Sequence, residues 1–237
     1  MTTTKLIPNV ERRLSAWVGV RERLGREPRR EPQLTITISR QFGCEGYPLA
    51  ELLSSQLQER TGEVWTIFDE ALIERASRDT DLSEQLLGNL GARSQLLDNL
   101  ANLIPGWRTH GEAYTLLARY ILRIASAGNA IIVGRGGAVL TQSLSHCRHF
   151  RLEAPRHRRV QSIQERLGLS HDDAEALVVE HEQRRERFIE RFLQCSMADT
   201  RYYHAVYNTE KSPVERIASS IFELLPPFAQ RTASEKG

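Results

Sequence analysis

The sequence predicts an α/β domain built on a five-stranded parallel sheet, and three observations carry that reading. Residues 34–50 read as a strand, a glycine-bearing turn and the start of a helix. Residues 130–133 form a continuous apolar run, as a strand buried on both faces requires. Short strand patterns then alternate with helical ones along most of the chain, which is the mark of strands joined by right-handed helical crossovers.

Composition sets the bounds. A chain of 237 residues is long enough for one sizeable domain with an insertion. It is 40% hydrophobic and 26% charged, as ordinary globular proteins are, and a net charge of +2 makes no case for nucleic acid. Cys44, Cys147 and Cys195 lack paired spacing, so neither a metal site nor a disulfide framework is expected. A reducing cytoplasm is the simplest setting for them. No run approaches the roughly 18 apolar residues of a membrane span, and the first residues lack the pattern of a secretory signal.

Taken in order, residues 8–25 suit an amphipathic helix with Val10, Leu14, Trp17, Val18 and Leu24 on one stripe. A charged, proline-containing linker follows to residue 32. The helix is expected to pack on the domain surface or to serve as a partner-binding arm. Leu34, Ile36 and Ile38 then alternate with Thr35 and Thr37, all suited to a pleated strand. Gly43 and Gly46 permit a tight turn, and Pro48 fits the first turn of a helix continued by Leu49, Leu52, Leu53 and Leu57. Such a unit aims backbone N–H groups and a helix dipole at one point, where phosphate is the natural guest. The common phosphate-loop pattern ends Gly-Lys-Ser/Thr, whereas Tyr47 and Pro48 occupy those last two places. An ordinary βα turn is therefore the alternative.

Residues 64–68 are the second expected strand. Asp69 and Glu70 can cap the helix that follows, and they also stand at the strand end where α/β proteins bind ligands. Residues 82–127 carry leucines at helical spacing, broken at Pro105-Gly106, and are expected to form a helical insertion. After the strand at 130–133, Gly134, Gly136 and Gly137 flank Arg135. A guanidinium on a glycine turn suits a pair of phosphate oxygens, or it can bond carbonyls within the turn. Residues 149–152 give a fourth strand. Arg156, Arg158 and Arg159 open the next helix, where positive charge opposes the dipole and hints at a facing anion. Beyond Gly168, Asp172 and Asp173 suit the first turn of a long helix in which Arg184, Arg185, Arg187 and Arg191 alternate with glutamates. Its plain reading is a solvated surface with i,i+4 pairs. Residues 202–207 make a fifth strand, 213–225 a closing amphipathic helix, and the tail from 226 is expected to be loose.

Several stretches resemble the cytidylate kinase-like family, and they do so in that family's order. Ile36-Thr-Ile-Ser-Arg-Gln-Phe-Gly-Cys-Glu-Gly46 is similar to its Ile-Ser-Arg-Gln/Glu-x-Gly-Ser-Gly-Gly opening. Phe68-Asp-Glu-Ala-Leu-Ile73 resembles its Tyr-Asp-x-x-Leu-Ile segment, and Ile131-Ile-Val-Gly-Arg-Gly-Gly137 its Gly-Arg-Gly-Gly strand end. Arg166-Leu-Gly-Leu-Ser170 and Glu182-Gln-Arg-Arg-Glu-Arg-Phe188 are similar to its lid. Tyr207-Asn-Thr209 resembles its last strand and turn.

The resemblance implies a three-layer P-loop kinase-like fold over residues 33–225, with a helical insertion near 82–127 and a lid near 168–200. It implies transfer of the γ-phosphoryl group of ATP, with Mg²⁺, to CMP or dCMP, with no nucleic-acid or membrane partner. Ser39, Gly43, Cys44, Glu45, Gly46 and Tyr47 would line the nucleotide's phosphates. Arg40, Arg135, Arg185 and Arg187 would serve the transfer, and Asp69, Arg135, Gly136, Arg159 and Arg184 the acceptor. No residue is matched to a metal-binding role. Glu45 and Cys44 depart from the family's Gly and Ser, and a carboxylate beside a triphosphate is unfavourable by roughly a few kcal/mol. The alternative is a degenerate kinase fold that binds a nucleotide or a partner without turnover.

Overall fold

The computed structural model describes residues 33–73 and 112–227. The expected N-terminal helix, most of the expected helical insertion and all but the start of the tail lie outside the described residues. The strands are β1 (Thr35–Arg40), β2 (Thr66–Phe68), β3 (Ala130–Val133), β4 (Cys147–Glu153) and β5 (Ala205–Asn208). The helices are α1 (Gly46–Thr61), α2 (Glu112–Ala127), α3 (Gly137–Leu140), α4 (Arg156–Leu167), α5 (His171–Leu193) and α6 (Val214–Glu223). All strands pair in parallel, in the order β2-β3-β1-β4-β5. The predicted five-stranded parallel α/β sheet is therefore what the chain forms, with β1 at its centre.

Strand alternation sorts the core into two layers. Ile36, Ile38, Ile131, Val133, Phe150 and Leu152 face α1 and α6, where Leu49, Leu53, Leu57, Ile217 and Ile221 complete a buried cluster. On the opposite face, Ala130 and Ile132 pack with Ile121 and Ile124 of α2, Leu140 of α3, and Ile189 and Leu193 of α5. The polar alternates of β1 fall on this second face and are satisfied there. The Thr35 hydroxyl donates to the Ala125 carbonyl at 2.9 Å, and Thr37 Oγ1 lies 2.8 Å from His149 Nδ1.

Three strands differ in length from expectation. β4 runs two residues earlier and one later than 149–152, because its partner β1 is long enough to pair with all of it but its last residue. β2 shrinks to Thr66–Phe68 because β3 offers it three partners. In the region expected to be the fifth strand, Thr200–Tyr202 instead makes a 3₁₀ turn capped by Asp199, and only Ala205–Asn208 pairs.

α4 and α5 form a hairpin beyond the sheet. Gly168 ends α4 in the left-handed conformation at φ 67°, and Ser170 caps α5 by accepting from the Asp173 amide at 3.2 Å. Val160, Ile163, Leu167, Ala174 and Val178 form a small separate core in that hairpin.

Candidate active site at the carboxyl edge of the sheet

The turn after β1 builds the first wall. Gly43 takes φ 93°, and a Cβ there would lie 2.7 Å from both Cβ and O of Arg159, so only glycine fits. α1 starts at Gly46, with Glu45 as its N-cap residue and Pro48 in its first turn. Among the described residues the amides of Gly43 and Glu45 donate to nothing. They leave two N–H groups beside a helix N-terminus, the arrangement that binds phosphate. Cys44 is buried within the turn, and burial raises its thiol pKa despite a hydrogen bond with Thr209 and the nearby charges of Arg159, Arg185 and Arg151.

The second wall is the turn after β3. Gly134, Arg135 and Gly136 take φ 85°, 52° and 69° in succession. A left-handed arginine is strained, which points to a positioned side chain. Arg135 pairs with Glu70, and its guanidinium lies 5.3 Å from the Phe188 ring centroid. Gly134 leaves room for Arg40: a Cβ there would collide with Arg40 Nη1, and one on Gly46 would lie 3.1 Å from Arg40 Cδ. Arg40 therefore lies between the phosphate loop and the β3 turn.

Arg185 enters from α5. Phe188 and Phe192 pack against the second core on the same side of the helix, and Ile189 is buried in it, so Arg185 belongs to the inward face. Burial holds its guanidinium down at about 9, with Arg40 and Arg151 pushing the same way and Glu182 and Cys44 opposing. Burial, then Arg40 and Arg184, hold Arg135 at about 10. Arg40 is lowered by burial and partly restored by Asp69 and Cys44. Arginine stays charged at neutral pH. Burial is the largest cause in all three, and the charge of Arg40 adds a repulsion at Arg135 and Arg185 that an anion would relieve.

The other expected site residues divide. Asp69 is the one carboxylate buried among the described residues, and its Oδ1 accepts from the Leu72 amide at 3.0 Å. It caps the helix after β2 while its charge supports Arg40. Ser39 sits beneath the site, buried and hydrogen-bonded to Tyr203, and Gly136 is the N-cap residue of α3. Arg159 is committed to structure. It donates to the Ala154 carbonyl at 2.9 Å and the Phe42 carbonyl at 3.4 Å, and lies 2.5 Å from Glu182 Oε1. Arg184 stands exposed, 2.5 Å from Glu180 Oε1, with its charge still felt by Arg135. Arg187 is exposed and donates to the Gln183 carbonyl at 3.1 Å, away from the cluster. Tyr47 is half-buried at the second position of α1.

The basic start of α4 corrects one expectation. Arg156 faces Glu175 at 3.1 Å, His157 faces Glu210 at 2.8 Å and Arg159 faces Glu182, so these three oppose carboxylates rather than a foreign anion. Glu45 lines a separate cleft between the phosphate loop, α4 and the β5–α6 turn. The carboxylates acting on Arg40 and Arg185 are Asp69 and Glu182.

Sequence reasoning did not single out Arg151. It is buried on β4, opposite Ser39 in register, with its Nε 2.6 Å from Glu153 Oε1 and its charge acting on Arg185. Its signal was the polar alternation of His149, Arg151 and Glu153 within a strand whose other face carries Phe150 and Leu152. The stack of Phe42 on His181, with centroids 4.0 Å apart at 5°, joins the phosphate loop to α5 and had no signal in spacing.

Among the described residues no helix is long and apolar enough to cross a membrane, and no group of three or more His, Cys, Asp or Glu could hold a metal ion. A Mg²⁺ ion fits this site only as one held mainly by phosphate oxygens and water, the usual manner for nucleotide-borne Mg²⁺.

No curated protein matches the chain. Among solved structures, an uncharacterized protein from Eubacterium ventriosum ATCC 27560 has a TM-score of 0.62 at 17% identity, over 81% of this chain and 98% of that one, so the two share a fold. Fainter likenesses are shikimate kinase from Bacteroides thetaiotaomicron, with a TM-score of 0.45 at 12% identity over 81% and 97% of the two chains, and TT1252 from Thermus thermophilus, with 0.46 at 17% over 83% and 100%. The profile of the cytidylate kinase-like family matches residues 35–211, from β1 through the turn after β5, and this chain, a nucleotide kinase-like protein, belongs to that family.

Proposed function

We propose that the protein transfers the γ-phosphoryl group of ATP to a pyrimidine nucleoside monophosphate, CMP or dCMP. The observation that carries this is the charge of Arg40, beside the Gly43–Gly46 turn, acting on both Arg135 and Arg185, together with the Gly43 and Glu45 amides that donate to nothing among the described residues. Cations brought together against their own repulsion suit a polyanion that gains charge density in the transition state.

In the reaction the bond from the γ-phosphorus to the β–γ bridging oxygen breaks, and an oxygen of the acceptor phosphate bonds to that phosphorus. The leaving diphosphate takes the bonding pair. No protein nucleophile is needed, so catalysis is positioning and charge stabilisation. The loop amides hold the donor phosphates. Arg40, supported by Asp69, sits between donor and acceptor sides. Arg135, oriented by Glu70 and Phe188, grips the acceptor phosphate. Arg185 comes from α5 onto the transferring group. Mg²⁺ supplies further charge neutralisation when it arrives with the triphosphate.

A coupled assay with ATP and Mg²⁺ against CMP, dCMP, UMP, AMP and GMP tests this. Turnover with CMP or dCMP that falls by about two orders of magnitude or more in Arg135→Ala and Arg185→Ala is expected. Turnover with none of the acceptors overturns it. If CMP or ATP still raises the melting temperature in that case, the chain is a nucleotide-binding module that has lost transfer, as the missing Lys and hydroxyl at Tyr47 and Pro48 would favour.

A further inference from the structure

We infer that Arg151 of β4 supplies the donor phosphates with the side-chain cation that their loop lacks at Tyr47. The inference rests on the phosphotransfer reading and adds a donor-binding residue to it.

Strand alternation aims the residue. Cys147 lies in the core on the second face of the sheet, and His149 bonds Thr37 on that face, so Arg151 belongs to it too. Arg151 is level with Ser39, one residue before the end of β1. Its side chain therefore starts at the carboxyl edge, on the strand next to the one that leads into the Gly43 turn. That edge is where open α/β sheets take their ligands.

Two neighbours hold the guanidinium in place. Its Nε donates to Glu153 Oε1 at 2.6 Å, and its Cζ lies 5.8 Å from the ring centroid of Tyr203, whose hydroxyl it also bonds. That hydroxyl is anchored in turn, donating to the Met197 carbonyl at 3.0 Å. Among the described residues no second carboxylate pairs with Arg151, and neither of its terminal nitrogens is closed off from solvent. A guanidinium carries five N–H donors in a rigid fork, so this one has donors left for a guest and a fixed direction in which to offer them.

A cation at 7% exposure is unfavourable unless its partners offset the lost hydration. Glu153 does so only in part, since its own side chain is 40% exposed and screened by water. The charge of Arg151 is felt by Cys44 in the turn and by Arg185 of α5, which places the guanidinium between those two walls. An anion that rests on the Gly43 and Glu45 amides and meets Arg185 is then within its reach. In the common phosphate loop a lysine at the start of the helix serves the β- and γ-phosphates. Here the charge arrives from the neighbouring strand, and as a fork it can take two phosphate oxygens at once.

The test uses the full chain, with thermal melts in ADP, pyrophosphate and CMP beside the coupled assay. Arg151→Met should raise the KM for ATP and weaken the apparent affinity for ADP and pyrophosphate by about tenfold or more, the loss of one charge-assisted hydrogen bond. Its response to CMP should match that of the wild type. Arg151→Lys keeps the charge but not the fork and should lose a smaller part of the ADP response. That variant decides the matter where Arg151→Met does not fold: no loss in it overturns the assignment. Glu153→Gln releases the guanidinium from its partner and should keep the ADP response or raise it. An ADP response that Arg151→Met retains, or one that Arg151→Met and Glu153→Gln lose equally, overturns the assignment and leaves Arg151 and Glu153 as an internal ion pair. A loss of the CMP response in place of the ADP response overturns it as well. Loss of the ADP response in Arg151→Met, with no turnover in the wild type, supports the assignment and removes the transfer. A wild type that responds to neither nucleotide overturns both.

Discussion

Arg159 of α4 and Glu182 of α5 are joined at 2.5 Å directly above Gly43, so the phosphate loop and the helical hairpin are held by the same guanidinium. Its Nε donates to the Ala154 carbonyl, and the Nη1 that meets Glu182 also donates to the Phe42 carbonyl, which makes it a bracket among three segments. Arg159→Ala should lower unfolding free energy by about 2–3 kcal/mol, because it leaves a part-buried carboxylate and two carbonyls without their partner. Glu182→Ala should cost less. A double-mutant cycle in urea should give a coupling of about 1–3 kcal/mol, and a coupling near zero would show that the bracket is held by packing alone.

Gly43 and Gly62 separate backbone conformation from contact. Both are left-handed, at φ 93° and 67°, but a Cβ on Gly62 meets nothing within 4 Å while one on Gly43 strikes Arg159. Gly62→Ala should cost about 1 kcal/mol, the usual penalty for alanine in this conformation. Gly43→Ala should cost roughly 2–4 kcal/mol and abolish stabilisation by nucleotide. Equal losses in the two variants would argue that Arg159 moves aside at little cost.

Acid should destabilise the protein through His149. This ring is 3% exposed, bonded to Thr37 and faced by His204 and Arg148, and burial first, then those two charges, hold its pKa at about 4. The unfolded chain keeps it near 6.5, so between pH 6.5 and 4 the unfolded state binds the extra proton. Stability is therefore full above 6.5 and is lost as pH falls toward 4, by up to about 3 kcal/mol from this group. His149→Gln should flatten that limb in a pH series of urea midpoints. A limb of undiminished slope in the variant would assign it to other groups.

Much of this was legible in the sequence because the signals were local. The apolar run at 130–133 became β3 with the same ends, Gly168 became the stop of α4, and the Gly43 turn leads from β1 into α1 with two amides that donate to nothing among the described residues. Partner choice was not local. Arg158 and Arg159 are adjacent in the chain, yet Arg158 is only half-buried and Arg159 is buried on Glu182. Arg184 and Arg185 are adjacent too, and only the helical phase shared with Phe188, Ile189 and Phe192 turns Arg185 inward. That phase could have been read from the sequence; the carboxylate opposite Arg159 could not, since it lies 23 residues away on another helix.

Arg185→Gln should stabilise the unliganded protein while removing its response to anions. The guanidinium is held down at about 9 because it is buried beside Arg40 and Arg151, so its charge at neutral pH opposes the folded state. Replacing it by a neutral side chain of similar length removes that repulsion, and a gain of about 1 kcal/mol is expected, in the range typical of relieving a strained functional site. The same charge is what a triphosphate would meet. Nucleotide diphosphate and inorganic phosphate should therefore raise the melting temperature of the wild type by several degrees, and that of Arg185→Gln by much less. Exposed Arg187, bonded to its own helix, serves as the control: Arg187→Gln should change neither the unliganded stability nor the response to phosphate. If Arg185→Gln were instead less stable than the wild type, its attraction to the charge of Glu182 would outweigh the repulsion among the arginines, and the cluster would be a structural network rather than a site waiting for an anion.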